Sequence, residues 1–269
     1  MPLTETQMDG QERKNGLMGW RARAVARRAD RARDRQLAYM RKVSADWTGR
    51  EEEVTERMKR ESVRMRAMLH RHRPVRGDDR VLEVGSGAMG HIFHFGVARG
   101  IGVDPLADHY VSLFPAWQRL AATIAAPGEQ LPFRDGEFDV VISDNVIDHA
   151  EDPGRIVAEI ARVLKPGGVF FLAVHVHHPV YHVASTAYGA LRAVGLPLEV
   201  TPFADHTVHL TTWAARRLFS ALPFRILSES ADFEEAKRHA AGVPPRHLGD
   251  RLKRVFTKNA RMEVMAIRT

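Results

Sequence analysis

The stretch from Arg80 to Asp104, RVLEVGSGAMGHIFHFGVARGIGVD, constrains the fold more than any other part of the chain. An apolar run (Val81, Leu82 and Val84, with Glu83 inside it) stops abruptly at Gly85-Ser86-Gly87. A second run, Ile101 to Val103, ends in Asp104. A strand, a glycine turn, a helical crossover over 89–99 and a second strand closed by an acid make a nucleotide-binding half-fold. Glycine lets backbone approach a ligand where a Cβ would clash. An acid about 20 residues beyond the turn is placed to accept hydrogen bonds from ribose hydroxyls.

The G-x-G-x-x-G spacing of Gly85, Gly87 and Gly90 is common to NAD sites, S-adenosylmethionine sites and ligand-free tight turns. The choice among them depends on the residues downstream of Asp104. The spacing predicts helix over Ala107 to Leu120, broken at Pro115, and a loop at Gly128 to Phe133. It predicts a buried strand at Phe138 to Ser143, a helix from Asp152-Pro153 through Val163, a turn at Leu164 to Gly168 and a buried strand at Val169 to Val174. Short apolar strands alternating with helices imply a parallel sheet with right-handed crossovers. A helix at Thr211 to Leu222 and strands at Phe224 to Ser230 and Met262 to Ile267 complete the pattern. Residues 177–208, rich in His, Pro and Gly, read as a lid, and 232–261 as a basic insertion.

Ahead of this core, residues 1–76 read as a helical extension, with a polar tail over 1–15. Trp20, Tyr39 and Trp47 are expected to anchor its helices. Between Arg21 and Arg76 lie 18 Lys and Arg against 8 Asp and Glu, a net of +10 in a chain whose total is +7. Such an arm suits either a solvated arginine-rich helix or an anionic partner. The chain has no cysteine, which excludes disulfides, thiolate metal sites and a cysteine nucleophile. No run of 18 apolar residues and no signal-peptide core occur, so a cytoplasmic protein without a membrane span is expected.

VLEVGSGAMG, GVDP, GEQLPF, FDVVISDNVIDHAEDP and LKPGG, in that order over roughly 78–176, resemble the class I S-adenosylmethionine-dependent methyltransferases, with a weaker echo in HLTTWAARRLF. The resemblance implies a Rossmann-like three-layer α/β sandwich around a mostly parallel seven-stranded sheet, with the methyltransferase domain at 77–269. It implies S-adenosyl-L-methionine as cofactor, held by Glu83, Gly85, Ser86, Gly87, Asp104, Pro105, Gly128, Glu129, Gln130, Asp144 and Asn145. Two departures stand out. The family's usual third glycine falls at Met89, with Gly90 just after, and Pro127-Gly128 stands where many relatives carry an aspartate.

Methyl transfer needs in-line alignment and exclusion of water, with a general base only for a weakly acidic hydroxyl. His149, His175 and His178, with Asp144, are the expected catalytic groups. His177 and His182 lie close in sequence, and His206 and His209 at the far end of the lid. These imidazoles read as general bases, as metal ligands or as structural groups. Asn145, Asp148 and His149 match in position the acid-x-x-acid-His cluster of certain metal-assisted quinone O-methyltransferases, with Asn in place of the first acid; no metal ligand is assigned. The expected partner is a small polar acceptor methylated at a hydroxyl, such as a sugar or secondary metabolite, with a homodimer as one possible assembly. RNA or DNA methylation through the basic arm and a non-catalytic binding module are the alternatives. Ser143-Asp144-Asn145-Val146 lacks the Asp/Asn-Pro-Pro-Tyr/Phe of amine-methylating nucleic-acid enzymes.

Overall fold

The computed structural model describes residues 33–150, 152–184, 210–242, 244 and 256–269. Trp20, most of the expected lid with His206 and His209, and Arg246, Arg251, Lys253 and Arg254 of the basic insertion lie outside the described residues. The chain divides into two compact units, Met1–Thr48 and Gly49–Thr269. In the first, residues 33–47 form helix α1, and Tyr39 is 61% exposed rather than a packing anchor. The second unit begins upstream of the expected boundary at 76/77, so the helix α2 (Glu51–His70) belongs to the same compact body as the sheet. Glu51, Glu52 and Glu53 occupy the first turn of α2, where their charge complements the helix dipole.

The sheet has seven strands in the order β3-β2-β1-β4-β5-β7-β6. They are β1 (Arg80–Val84), β2 (Arg99–Val103), β3 (Ala122–Ile124), β4 (Phe138–Asp144), β5 (Leu164–Val176), β6 (Phe224–Ala231) and β7 (Ala260–Arg268). Neighbours from β3 through to β5 pair in parallel, and β7 runs antiparallel between β5 and β6. This is the expected Rossmann-like, mostly parallel seven-stranded sheet. Val81, Leu82, Val140, Val141, Ile142, Phe170, Phe171 and Leu172 are all fully buried, as strands covered on both faces require. Helix α5 (Pro153–Val163) starts as predicted, with proline in the first turn and the Asp152 carboxylate accepting from Arg155 N at 3.0 Å. The segment after β2 breaks at Pro115 into α3 (Ala107–Leu113) and α4 (Pro115–Gln118). Helix α6 runs over 179–184 within the described residues, followed by α7 (Thr212–Arg217) and α8 (Phe233–Gly242). Among the described residues no helix is long and apolar enough to cross a membrane.

The crossover from β1 to β2 departs from expectation. Instead of a helix over 89–99 it holds a single 3-10 turn, His91–His94. Gly87 and Gly96, both at positive φ, bracket the segment, and the Glu83 carboxylate takes the backbone N–H groups of His91 and Ile92. Helix α2 braces the shortened crossover from outside. Arg66 Nη1 donates to the carbonyls of Phe95 and Gly96, both at 2.8 Å, and Nη2 to that of Val75 at 3.3 Å. Ser62, fully buried on α2, bonds both the ring and the carbonyl of His91 at 3.3 Å.

Replacing Arg66 with methionine keeps the side-chain length but leaves three carbonyls without their donor. The expected cost is about 2 kcal/mol, read as a lowered midpoint in urea denaturation with an unchanged slope.

Candidate active site

The carboxyl ends of β1, β2, β4 and β5 meet at one edge of the sheet, where open α/β sheets bind ligands. The glycine turn leaves β1 with Gly85 N and Ser86 N both bonded to Val103 O, at 2.7 and 3.1 Å. Gly85 has φ +76°, and a Cβ there would overlap the methyls of Val146, so this glycine serves packing beneath the site. Gly87, at φ +55°, has nothing within 4 Å of an added Cβ; its open side is where a ligand can approach the backbone. The Met89 departure has a local explanation. A Cβ on Gly90 would overlap the Glu83 carboxylate, so the glycine is needed at 90, one position later than usual.

The residues assigned to the cofactor fall into two groups. Asp104 faces the turn, accepting from Gly87 N at 3.1 Å on one oxygen and from Leu106 N at 2.8 Å on the other. Burial pushes its carboxyl upward, against those two bonds. Pro105 is exposed beside it. Gly128 is buried against Val84 and Ile156, with Glu129 and Gln130 emerging towards solvent. This loop is tied to α5: Arg155 Nε donates to Glu129 O at 2.9 Å, and Leu131 N to Glu159 Oε2 at 2.8 Å. Glu83 and Ser86 instead turn their side chains inward. Glu83 accepts from His91 N at 3.1 Å and Ile92 N at 2.8 Å, and Ser86 Oγ lies over Gly102. Burial lifts the Glu83 carboxyl to about 7.

Two supporting residues escaped the sequence reading. Gln118 on α4 is buried and donates to the carbonyls of Gly87 and Ala88 at 3.2 and 3.1 Å, holding the turn from behind. A buried polar side chain at the end of an apolar helix face was the available signal. His91 connects the ends of β1 and β4, for its Nε2 lies 2.8 Å from Asp144 Oδ2 while its backbone N–H meets Glu83. Burial alone would depress this imidazole; the Asp144 hydrogen bond and the Glu83 charge outweigh it and raise its pKa.

Asp144 also receives Arg261 in a two-pronged pair, Nη1 to Oδ1 at 2.8 Å and Nη2 to Oδ2 at 3.0 Å. Burial would raise this carboxyl, but the bonds from His91 and Arg261 win and hold it at about 2. Asp144 is therefore suited to carry fixed negative charge and poorly suited to take a proton. The next residue, Asn145, turns the chain outward at φ +57° and is exposed.

The expected catalytic histidines separate. His175 Nδ1 and His149 Nε2 both face Asp148, at 3.9 and 4.0 Å, and Asp148 is fully buried between them. His178 stacks on Phe256 with ring centroids 5.0 Å apart, and its Nδ1 accepts from Val180 N at 3.3 Å. His177 is buried and accepts from Asn259 N at 3.2 Å, bracing the end of β5 against the segment entering β7. Among the described residues no three His, Asp or Glu side chains are gathered as a metal set would be.

The profile of the methyltransferase domain family matches residues 82–172, from β1 through β5. Over that stretch the chain carries a methyltransferase domain. An uncharacterized methyltransferase of Mycobacterium sp. (strain JLS) is 38% identical over 103 residues, 36% of this chain and 39% of that protein. The chain thus spans less than half the length of that relative. The methyltransferase domain resembles the YcgJ protein of Bacillus subtilis with TM-score 0.54 at 19% identity, over 75% of this chain and 97% of that one. It also resembles a geranyl diphosphate C-methyltransferase of Streptomyces coelicolor, solved with Mg2+, geranyl diphosphate and S-adenosyl-L-homocysteine. There the TM-score is 0.53 at 15% identity over 72% of each chain. At such identities the likeness is one of fold.

Two outcomes are expected for the methyltransferase domain. Gly85→Ala should destabilise it by about 2–3 kcal/mol, and Val146→Ala in the same chain should recover part of that loss, as a double-mutant cycle in urea would show. The raised pKa values of Glu83 and His91 both give stability that is full at low pH and is lost as pH rises through their folded values. The melting temperature should therefore fall between pH 5 and pH 8, and Glu83→Gln should flatten the profile. A wild-type profile already flat over that range would contradict the assignment.

Proposed function

We propose that this chain transfers the methyl group of S-adenosyl-L-methionine to a hydroxyl on a small polar acceptor. The observation that carries the reading is the meeting of His149 and His175 on the buried Asp148 carboxylate at the sheet edge that also holds Gly87 and Asp104. The residues fit the cofactor: Gly87 offers an open backbone cradle, and each Asp104 oxygen, already taking one N–H, has capacity for a ribose hydroxyl. Gly128, Glu129 and Gln130 supply a loop edge for the adenine, through backbone where other sequences use an acid. Asn145 borders the reacting end. When bound, the cofactor supplies a sulfonium-activated methyl electrophile, so the protein's part is alignment and proton removal.

His175 is the better placed base. It sits on β5 and is 28% exposed, against 47% for His149. With Nδ1 facing Asp148, Nε2 is the nitrogen to take the acceptor's hydroxyl proton, and the buried carboxylate stabilises the imidazolium that forms. Asp144, held ionised, contributes a fixed charge beside the site. Helix α2 favours a small acceptor over nucleic acid, for it carries five Lys and Arg against five Glu, with Lys59 paired to Glu56 and Arg64 to Glu61 and Glu263. A cysteine-free chain suits a cytoplasmic enzyme of this kind.

Calorimetry should show S-adenosylmethionine binding without NAD binding, and Asp104→Ala should weaken the former by about tenfold or more. With an acceptor identified by screening, His175→Ala should lower kcat by about 100-fold with little change in KM, and His149→Ala by less. NAD binding, or indifference to Asp104→Ala, would overturn the cofactor assignment.

A further inference from the structure

We infer that the guanidinium of Arg261 receives an anionic group of the acceptor, a carboxylate or a phosphate, beside His175. The identity of the bound molecule as methyl acceptor rests on the function proposed above; the anion site itself does not.

Register places the groups. Asp144 pairs with Ala173 of β5, which pairs with Glu263 of β7, and His175 pairs with Arg261 one step nearer the carboxyl edge. Paired strand neighbours share a face, and so do residues two apart, so Asp144, His175, Arg261 and Glu263 all project from one face. Arg261 spends three of its five N–H groups there. Two go to Asp144, and Nε goes to Glu263 Oε1 at 2.9 Å. One N–H on each terminal nitrogen is left, among the described residues, for a further acceptor.

The burial of the cluster has a direction. The carboxylates lie deep, with Asp144 14%, Glu263 16% and Asp148 0% exposed. The groups above them are basic, with Arg261 36%, His175 28% and His149 47% exposed. A solute entering this edge meets N–H donors first and carboxylates only behind them. The two carboxylates also fix the plane of the guanidinium, so little side-chain freedom is lost when an oxyanion docks on it. The groups facing Arg261 across the elements packed here are Asp144 on β4, His175 on β5 and Glu263 on β7, with His91 beyond Asp144 and Arg64 of α2 beyond Glu263. Methionine or leucine here would leave the Asp144 carboxylate with His91 alone, so the guanidinium first serves that charge. A guanidinium with two outward N–H groups is the choice that also binds an oxyanion.

The test is a calorimetric titration of the full chain with inorganic phosphate and, separately, with benzoate, at fixed pH and ionic strength. Saturable binding of one of them is expected, and the stronger arm names the group. Arg261→Lys, which keeps the charge but loses the planar fork, should weaken that binding by about tenfold while the melting temperature stays near that of the wild type. If Arg261→Lys does not fold, His175→Leu, which removes the neighbouring imidazole, should weaken the anion several-fold. No saturable binding of either anion, or binding that neither substitution weakens, would overturn the inference. Titration with S-adenosyl-L-homocysteine in the same samples separates the two claims. Its failure in the wild type would count against the methyl-transfer reading, and phosphate or benzoate would still report on Arg261.

Discussion

The candidate site depends on a carboxylate that is kept charged inside the protein. Asp144 ends a strand whose central residues are fully buried, where an isolated negative charge would be costly. His91 from the crossover and Arg261 from the antiparallel strand together outweigh that cost. Both partners hold other structural elements as well: His91 meets Glu83 and Ser62, and Arg261 meets Glu263, which in turn meets Arg64. The result is a closed circuit that leaves α2 at Ser62 and returns to it at Arg64. Buried polar networks of this kind are stable only when every member is satisfied.

That circuit explains how the chain manages with so little crossover. A 3-10 turn of four residues cannot cover the sheet as a full helix would. Helix α2, which precedes β1 in sequence, reaches the turn through Arg66 and Ser62 and ties it down. Helix α2 itself carries five Lys and Arg against five Glu, so the basic excess of the arm lies in the residues that flank it.

Most of the fold was legible because buried parallel strands and glycine turns leave strong local marks. VLEV, FDVVIS and VFFLAV each read as strands, and Pro115 and Pro153 marked a break and a start. The missing helix at 89–99 was not legible, because the segment is held by distant groups, the Glu83 carboxylate on its N–H groups and Arg66 of α2 on its carbonyls. The site was legible in part. Asp104 and Gly87 follow from the motif, and the His149–Asp148–His175 grouping joins the segments that leave two neighbouring strands. Gln118, His91 and Arg261 were hidden, since their importance lies in partners 30, 53 and 117 residues away that no period reveals. Glu83 was expected at the cofactor as part of a motif that meets it through backbone, and its carboxylate caps the backbone of the following turn.

The ion pair between Arg64 and Glu263 joins residues 199 apart in the chain. Loop closure over such a distance is slow, and contacts of this range form late. During synthesis α2 emerges early and β7 after every other described strand. Until β7 inserts between β5 and β6, Arg261 is absent and Asp144 has only His91. The mouth of the site is thus the last part of the domain to become electrostatically complete, and a nascent chain that still lacks β7 holds the glycine turn with His91 and Asp144 but without Arg261.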